Sequence, residues 1–394
     1  MAGRGRVPGV VASCVLLLVA LVGCSGRPAH DTAADTVQGV LDRRAAAVLH
    51  RDAAAYRATG AAPELANLRD VPLAAWSYRL TGFHRTGDRA TADVDLSYRV
   101  EGYDRAPVTT GRTLRLARGE GRWRVTSDRP AKKAAEQLWE QGAVSVVRGE
   151  HSLVLGAGQS RETLRRFAGL ADRAVPAVSR TWGTDWPGHV VVLVPKSLEG
   201  MAGLLGAAAS GYRGIAAVTT GEAGGPARAP ADRIIINPEA YGVLGGLGRQ
   251  VVLTHETTHV ASRAHTTAAT PLWLSEGYAD WAGYLGSGRP AAKVAPELQR
   301  AVADGRLPAA LPEDADFGFT GDAASLVRAY EGGWMACRLI ADRWGEVRLN
   351  DFYRAVGAHP QRAGAVEGAL RDVLHTTPEA FTGRWREYLR SQLG

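Results

Sequence analysis

Five consecutive residues, His255-Glu256-Thr257-Thr258-His259, combine the residue types and the spacing of a zinc site. In an α-helix the side chains at i and i+4 project from one face, so His255 and His259 can offer ring nitrogens to one metal ion. Glu256 is rotated about 100° around the helix axis, so its carboxylate can reach a water on the metal instead of the metal itself. The motif therefore predicts the active-site helix of a hydrolase.

Apolar residues upstream of this motif recur at the spacing of one helix face. They are Val243, Leu244, Leu247, Val251 and Val252. Because such a face is normally buried, the pattern predicts one helix that packs on a core and continues through the motif. The pentapeptide also arises by chance in unrelated chains, so this helical context strengthens the prediction.

A second helix that carries two acids follows the motif. Thr270 and Pro271 have the residue types of a helix start, with Thr at the cap and Pro in the first turn. Sixteen residues separate His259 from Glu276, enough for a loop that turns this helix back against the first. Glu276 is the candidate third zinc ligand. Asp280, one turn later, can accept a hydrogen bond from the other nitrogen of a ligand histidine.

These residues resemble the gluzincin zinc metallopeptidases, including the minigluzincin or peptidase MA-like forms, thermolysin and the aminopeptidase N-like enzymes. The resemblance implies that His255, His259 and Glu276 bind one Zn²⁺ per chain. It also implies that Glu256 acts as the general base and that Asp280 supports a ligand. Thermolysin has the same pattern of two histidines, a glutamate ligand and an aspartate four residues later.

The second helix is similar to the aminopeptidase branch of that group, with two departures. The family usually has Asn where Ser275 stands, and its spacer is two residues longer. Further on, Tyr330 occupies the place of a tyrosine that donates a hydrogen bond to the oxyanion formed during hydrolysis. This chain has Gly332 where the family commonly has Lys. The resemblance therefore makes Tyr330 a candidate catalytic residue.

The substrate of a gluzincin lies as an extended strand against the edge of a sheet, and this chain has a strand-like run in a similar place. Its candidate residues are Gly214, Ile215, Ala216 and Ala217. Aminopeptidases carry a glutamate near that strand to bind a free N-terminus, and the two alanines offer none. The resemblance therefore favours internal or unusual cleavage, in which Glu256 takes a proton from water and returns it to the leaving amine.

The start of the chain resembles a bacterial lipoprotein signal. Two arginines precede an apolar run over residues 10–22, which is too short to cross a bilayer of ~30 Å, for which about 20 residues are needed. The run ends in a Leu-Val-Gly-Cys sequence similar to a lipobox. We therefore expect a signal peptide over residues 1–23, a lipid on Cys24 and a tether over residues 24–30. This places the protein on the extracytoplasmic face of a bacterial cell membrane.

Composition limits the classes of partner. Of the three cysteines, Cys14 would leave with the signal peptide and Cys24 would be acylated, so Cys337 has no partner for an intramolecular disulfide. Cys337 lies on an apolar stretch and is expected in the core. The formal net charge of +7 is spread along the chain. This mild excess does not indicate nucleic-acid binding; the expected partners are a peptide or protein substrate and the membrane.

The order of elements predicts an α+β protein with two units. Residues 31–130 read as a helix followed by alternating strands, an order similar to the NTF2-like fold, a helix packed on a curved antiparallel sheet. Residues 131–394 read as a gluzincin-like catalytic unit, a mixed sheet followed by a helical lobe. Its predicted elements are a helix from about residue 132, strands at 151–155, 190–194, 214–218 and 233–236, a helix at 161–181 and a flap-like loop at 221–231.

Two other functions fit the same sequence. One is a non-catalytic lipoprotein, in which the first unit binds a ligand or partner and the zinc unit serves as a scaffold. The other is a zinc hydrolase of non-peptide amides, such as cell-wall components. Neither the spacing of the motif nor the charge of the chain separates these functions from a peptidase.

Overall fold

The computed structural model describes residues 32–61, 65–221, 230–318 and 323–394 and shows a mixed α+β fold with two β-sheets and many helices. The strands are β1 (Leu73–Thr86), β2 (Arg89–Val100), β3 (Val108–Gly119), β4 (Arg122–Pro130), β5 (Val144–Arg148), β6 (Ser152–Ala157), β7 (Val190–Val194), β8 (Ala217–Thr220) and β9 (Arg233–Ile236).

The helices are spread over the whole described chain and dominate its second half. They are α1 (Thr32–Leu49), α2 (Ala53–Ala58), α3 (Arg161–Trp182), α4 (Leu198–Leu205), α5 (Pro238–Gly242), α6 (Gly246–Ser262), α7 (Leu272–Tyr284), α8 (Ala291–Val294), α9 (Pro296–Ala303), α10 (Ala323–Trp344), α11 (Glu346–Ala358), α12 (Ala365–Asp372) and α13 (Pro378–Leu393). Within the described residues, no helix combines the length and the hydropathy needed to cross a membrane.

The first sheet is antiparallel, with strand order β1-β2-β3-β4, and α1 packs against it. Buried and exposed residues alternate along β2, as expected when one face of a strand meets a core. Two-residue turns join β1 to β2 and β3 to β4. In the second turn both Glu120 and Gly121 have positive φ, which fits the right-handed twist of a tight hairpin.

The second sheet has the order β5-β6-β7-β9-β8, and β8 lies at its edge. The strands β6, β7 and β9 are parallel, whereas β5 and β8 are antiparallel to their neighbours. Alternate residues of β7 face opposite sides. Val190, Val192 and Val194 pack with α3 and α6, and Val191 packs towards the first sheet. The second sheet is therefore covered on both faces.

An aromatic cluster fills the space between the two sheets. The ring centroid of Trp139 lies 5.4 Å from that of Trp76 and 5.0 Å from that of Tyr98. The same core cluster contains Leu155 of β6 and Val191 of β7. The two sheets therefore share one apolar core. The division of the chain at residue 130 and the NTF2-like assignment stay predictions.

The helices from α7 to α13 form a lobe with its own core, in which Trp273, Met335, Phe352 and Trp385 are buried. The only free cysteine among the described residues, Cys337, is buried in this core, where the sequence analysis placed it.

The structure corrects the helix predicted from about residue 132. The chain there forms only a 3₁₀ turn at Leu138–Glu140 and then β5, a strand that the sequence analysis missed. Lys133 has a φ of 75°, which no α-helix contains. The backbone N–H of Glu136 donates to the carbonyl of Gly203, so this segment contacts α4 in place of continuing as a helix.

The helix before the zinc motif also differs from its prediction. Val243 is 86% exposed and Leu247 is 36% exposed, so they do not belong to a buried helix face. The reason is that α6 begins only at Gly246, after a break at Gly245 that separates it from α5. The start of α7 is shifted too: Pro271, not the predicted Thr270, occupies the N-cap position.

Candidate metal centre

The two motif histidines meet on one face of α6. The Nε2 atoms of His255 and His259 lie 3.0 Å apart, and the rings are nearly perpendicular. Both side chains are mostly buried. The helix itself packs against α3 and α7 and against the edge strand β8. These contacts fix the direction in which the two rings project.

Glu276 of α7 completes a group of three possible ligands. Its Oε2 atom lies 3.3 Å from Nε2 of His255 and 3.5 Å from Nε2 of His259. A tetrahedral Zn²⁺ with ligand distances of about 2.0–2.1 Å holds its ligand atoms about 3.3 Å apart. Two imidazoles and one carboxylate are also a donor set of catalytic zinc sites. In both spacing and chemistry, the three side chains fit one zinc ion and leave a fourth position for water or substrate.

Asp280 determines which nitrogen of His255 is available. Its Oδ1 atom lies 2.8 Å from Nδ1 of His255. A hydrogen bond from Nδ1–H to this carboxylate leaves the lone pair of Nε2 directed at the site of the three ligand atoms. Asp280 therefore lies at Nδ1 of His255, whereas Glu276 lies at Nε2 of the same ring.

The ligand residues perturb one another's proton affinity. Burial alone would lower the pKa of His255, but the carboxylates of Asp280 and Glu276 raise it well above its usual value. Burial would raise the pKa of Glu276, but His259 and His255 hold it well below the usual range. Protons and a metal ion therefore compete for the same ring nitrogens.

Glu256 lies beside this group and is not part of it. Its side chain is buried, with 6% of the residue exposed. The hydroxyl of Thr219, on β8, donates to Oε2 of Glu256 over 2.6 Å and also lies 3.1 Å from the backbone carbonyl of Glu256. The sequence analysis missed Thr219. The two residues are 37 positions apart, and no local pattern signals a contact between a strand and a helix.

Glycines bring α7 and α10 into backbone contact next to the site. A Cβ atom on Gly277 would collide with the backbone of Gly333, and one on Gly333 would collide with the carbonyl of Trp273. Because neither glycine has a side chain, the two helices cross closely enough to fix Glu276 relative to Tyr330. This close crossing was not anticipated from the sequence.

Tyr330 of α10 is half-buried, and its ring packs edge-on against Phe317 with centroids 5.1 Å apart. Burial raises its pKa, and the nearby carboxylates of Glu276 and Asp280 raise it further. The phenol therefore keeps its proton at neutral pH and can donate it in a hydrogen bond. The Tyr330 side chain is therefore close enough to Glu276 and Asp280 for their charges to affect its pKa.

The edge strand is shorter than predicted and begins later. Of the four candidate residues, only Ala217 lies within β8, whereas Gly214, Ile215 and Ala216 precede it. The carbonyl of Ala216 still accepts a hydrogen bond of 2.9 Å from the backbone of Asn237. The edge strand continues instead to Thr220 and includes Thr219, which contacts Glu256. The candidate lipidation site Cys24 and most of the predicted flap at 221–231 lie outside the described residues.

Among the solved structures that resemble this chain are two distant neighbours. No protein-family model matches the chain, and no curated protein matches it. A mutant of a two-domain M1 zinc metallopeptidase bound to L-arginine aligns with 82% of this chain and 61% of its own, at 13% identity and a TM-score of 0.34. A mutant M1 zinc metallopeptidase from Deinococcus radiodurans, bound to a Tyr-Ser-Ala substrate, aligns with 78% of this chain and 90% of its own, at 11% identity and a TM-score of 0.33. The chain thus spans about three fifths of the first neighbour. Similarity at this level does not establish a family.

Proposed function

We propose that this chain is a zinc-dependent peptidase of gluzincin type. The observation that carries the proposal is the convergence of Nε2 of His255, Nε2 of His259 and Oε2 of Glu276, with separations of 3.0–3.5 Å. Such a set, with one position left for another ligand, is the arrangement of a catalytic zinc site and not of a closed structural one.

The chain's own residues would act as follows. His255, His259 and Glu276 would hold Zn²⁺, which supplies a Lewis acid that polarises the scissile carbonyl and lowers the pKa of water. The carboxylate of Glu256 would accept a proton from the attacking water and return it to the leaving amine. The hydroxyl of Tyr330 would donate a hydrogen bond where negative charge develops on the substrate carbonyl.

The edge strand supports a peptide as substrate. Because β8 pairs with only one strand among the residues that the structure describes, its other side can pair with the backbone of an extended chain. Its residue Thr219 contacts Glu256, so a peptide paired there would run past the proposed base. A cell-wall amide without an extended peptide backbone would gain nothing from such pairing. This difference favours a peptidase over a hydrolase of non-peptide amides.

We further propose that a lipid on Cys24 holds the protein on the extracytoplasmic face of a bacterial membrane, after removal of residues 1–23. The apolar run and the Leu-Val-Gly-Cys sequence support this proposal. The helix α1 packed on a four-stranded antiparallel sheet likewise supports an NTF2-like first unit.

The experiment compares the full-length protein with Glu256→Gln on a diverse peptide library, with zinc content measured for both. We expect about one zinc per chain in each, and a fall in kcat of about 10²–10⁴-fold in the variant, because the base is lost while the ligands remain. Glu162→Gln, which removes an exposed acid of α3, is the matched control and should leave kcat unchanged.

Each other outcome contradicts a specific part of the proposal. Hydrolysis of cell-wall amides without hydrolysis of any peptide would identify the second kind of hydrolase. Bound zinc with no hydrolysis of either substrate class would identify a scaffold. A chain that binds no zinc would remove the basis of all three functions.

A further inference from the structure

The contact between Thr219 and Glu256 joins the edge strand to the proposed base. The Oγ1 atom of Thr219 lies 2.6 Å from Oε2 of Glu256, at the short end of hydrogen bonds from a hydroxyl to a carboxylate. Thr219 is half-buried and Glu256 is buried, so water competes little for this bond. A charge-assisted bond in such surroundings orients the acceptor strongly.

The bond occupies one oxygen of the carboxylate. With Oε2 held by the hydroxyl, the Oε1 atom of Glu256 remains for the proton of the attacking water. A carboxylate held at one oxygen no longer rotates freely about the Cγ–Cδ bond. That rotation would otherwise exchange the two oxygens. The entropy of that rotation is lost when the chain folds, before any substrate binds.

We propose that Thr219 is a positioning residue for Glu256, acting on the base and not on the substrate. This inference rests on the proposed peptidase function. It adds a link between substrate binding and chemistry, because Thr219 belongs to the strand on which the peptide would pair. A peptide that pairs along β8 is thereby aligned with a base whose orientation is set by the same strand.

The adjacent residue offers a matched control. Thr220 is also a β8 threonine with a bonded hydroxyl, but its Oγ1 atom lies 3.2 Å from the backbone nitrogen of Arg233 and 3.3 Å from its carbonyl oxygen. Successive side chains of a strand point to opposite faces, so the Thr220 hydroxyl does not contact Glu256. Thr220→Val removes a similar hydroxyl from the same strand without affecting the base.

The kinetic test measures kcat and KM for one peptide substrate with zinc content verified. Thr219→Val should lower kcat by about 10- to 100-fold at unchanged KM, the range expected for one charge-assisted hydrogen bond. Thr219→Ser, which keeps the hydroxyl, should restore kcat to within about threefold of the wild type, and Thr220→Val should lower kcat far less than Thr219→Val does. In a Glu256→Gln background, Thr219→Val should cause no further loss.

Several results would overturn the inference. If Thr219→Val and Thr220→Val lower kcat equally, or if the loss persists in the Glu256→Gln background, Thr219 has only a structural role in β8. If the wild type hydrolyses peptides and Thr219→Val matches it, the inference is wrong while the peptidase function stands.

A crystal structure of the zinc-loaded Thr219→Val protein tests the inference without activity. The Glu256 carboxylate should occupy more than one orientation there, and a single one in Thr220→Val. A single orientation identical to that of the wild type in both variants would refute the positioning role. A wild type that lacks peptidase activity would refute the proposed function separately.

Discussion

Among the described residues, two of the groups of buried charged side chains differ in how their charge is neutralised. Between the first sheet and its flanking segments, the guanidinium of Arg112 lies 2.8 Å from Asp128 and 2.5 Å from Glu140. Arg44 lies 4.0 Å from the same aspartate and 3.9 Å above the ring of Tyr56. In this cluster, arginine side chains of the chain neutralise carboxylates of the same chain.

The second group is the candidate metal centre. There, two ring nitrogens and a carboxylate oxygen converge on one point, and all three are electron-pair donors. A cation that does not come from the chain best satisfies such a set. The comparison shows that burial of charge alone does not indicate a ligand site. A ligand site is indicated where electron-pair donors converge on one point. It is not indicated where opposite charges of the chain pair with each other.

The first prediction has the largest expected effect and concerns the buried cluster in which Arg112 pairs with Asp128 and Glu140. Arg112→Met leaves the buried carboxylates of Asp128 and Glu140 without this guanidinium, which should lower the free energy of unfolding by about 3–5 kcal/mol in urea denaturation. The zinc content should not change. Arg79→Met, which breaks an ion pair whose arginine is 76% exposed, is the control and should cost no more than about 1 kcal/mol. Equal costs for the two variants would mean that the buried cluster contributes no more than a surface pair.

A second, smaller effect tests the metal centre. Asp280→Asn removes the carboxylate that holds Nδ1–H of His255 and should weaken zinc affinity by about 10- to 100-fold, measured by competition with a chelator. Asp351→Asn, at an exposed position of α11, should leave the affinity unchanged. Unaltered affinity in Asp280→Asn would show that the orientation of His255 does not depend on this carboxylate.

Glu331 represents a third situation, a buried acid that is bonded only to backbone. It is 6% exposed and accepts hydrogen bonds from the backbone N–H groups of Glu297 and Leu298 at the start of α9, over 3.2 Å and 2.6 Å. Burial raises its pKa to about 7, although these two bonds oppose the rise. Neither a paired cation nor converging donors compensate this charge.

The smallest predicted effect follows from that raised pKa. Because the folded state holds this proton more tightly than the unfolded state, Glu331 contributes stability below pH 4.5 that is lost as the pH rises through 7. Glu331→Gln removes the titration, so from pH 6 to pH 8 the variant should gain about 1 kcal/mol in unfolding free energy relative to the wild type. Urea denaturation at the two pH values measures this difference. If the unfolding free energies of variant and wild type differed by the same amount at both pH values, the raised pKa of Glu331 would be contradicted.

The sequence predicted those parts of the site that depend on local geometry. The helical spacing of His255 and His259 brings their ring nitrogens together wherever the helix lies. The place of Glu276 depends on a loop and a helix crossing. The sixteen-residue spacer predicted that the second helix could turn back against the first, and the resemblance implied the same role for Glu276. The contact of Thr219 with Glu256 joins distant segments, so no local pattern could indicate it.

The errors in the fold prediction have a similar origin. The apolar spacing of Val243 and Leu247 indicated one buried helix face, but Val243 lies in the break before α6 and Leu247 lies exposed in its first turn. The helix expected after residue 132 gives way to a backbone hydrogen bond with Gly203 of α4. In both cases a backbone conformation or a tertiary contact outweighed the side-chain pattern.

The aromatic layer that joins the two sheets determines how this protein can be divided. Trp76 and Tyr98 pack against the second sheet, whose edge strand is β8. Removal of the first half of the chain would expose the aliphatic faces of β6 and β7 to water. We therefore expect the two halves to be inherited, expressed and purified as a pair.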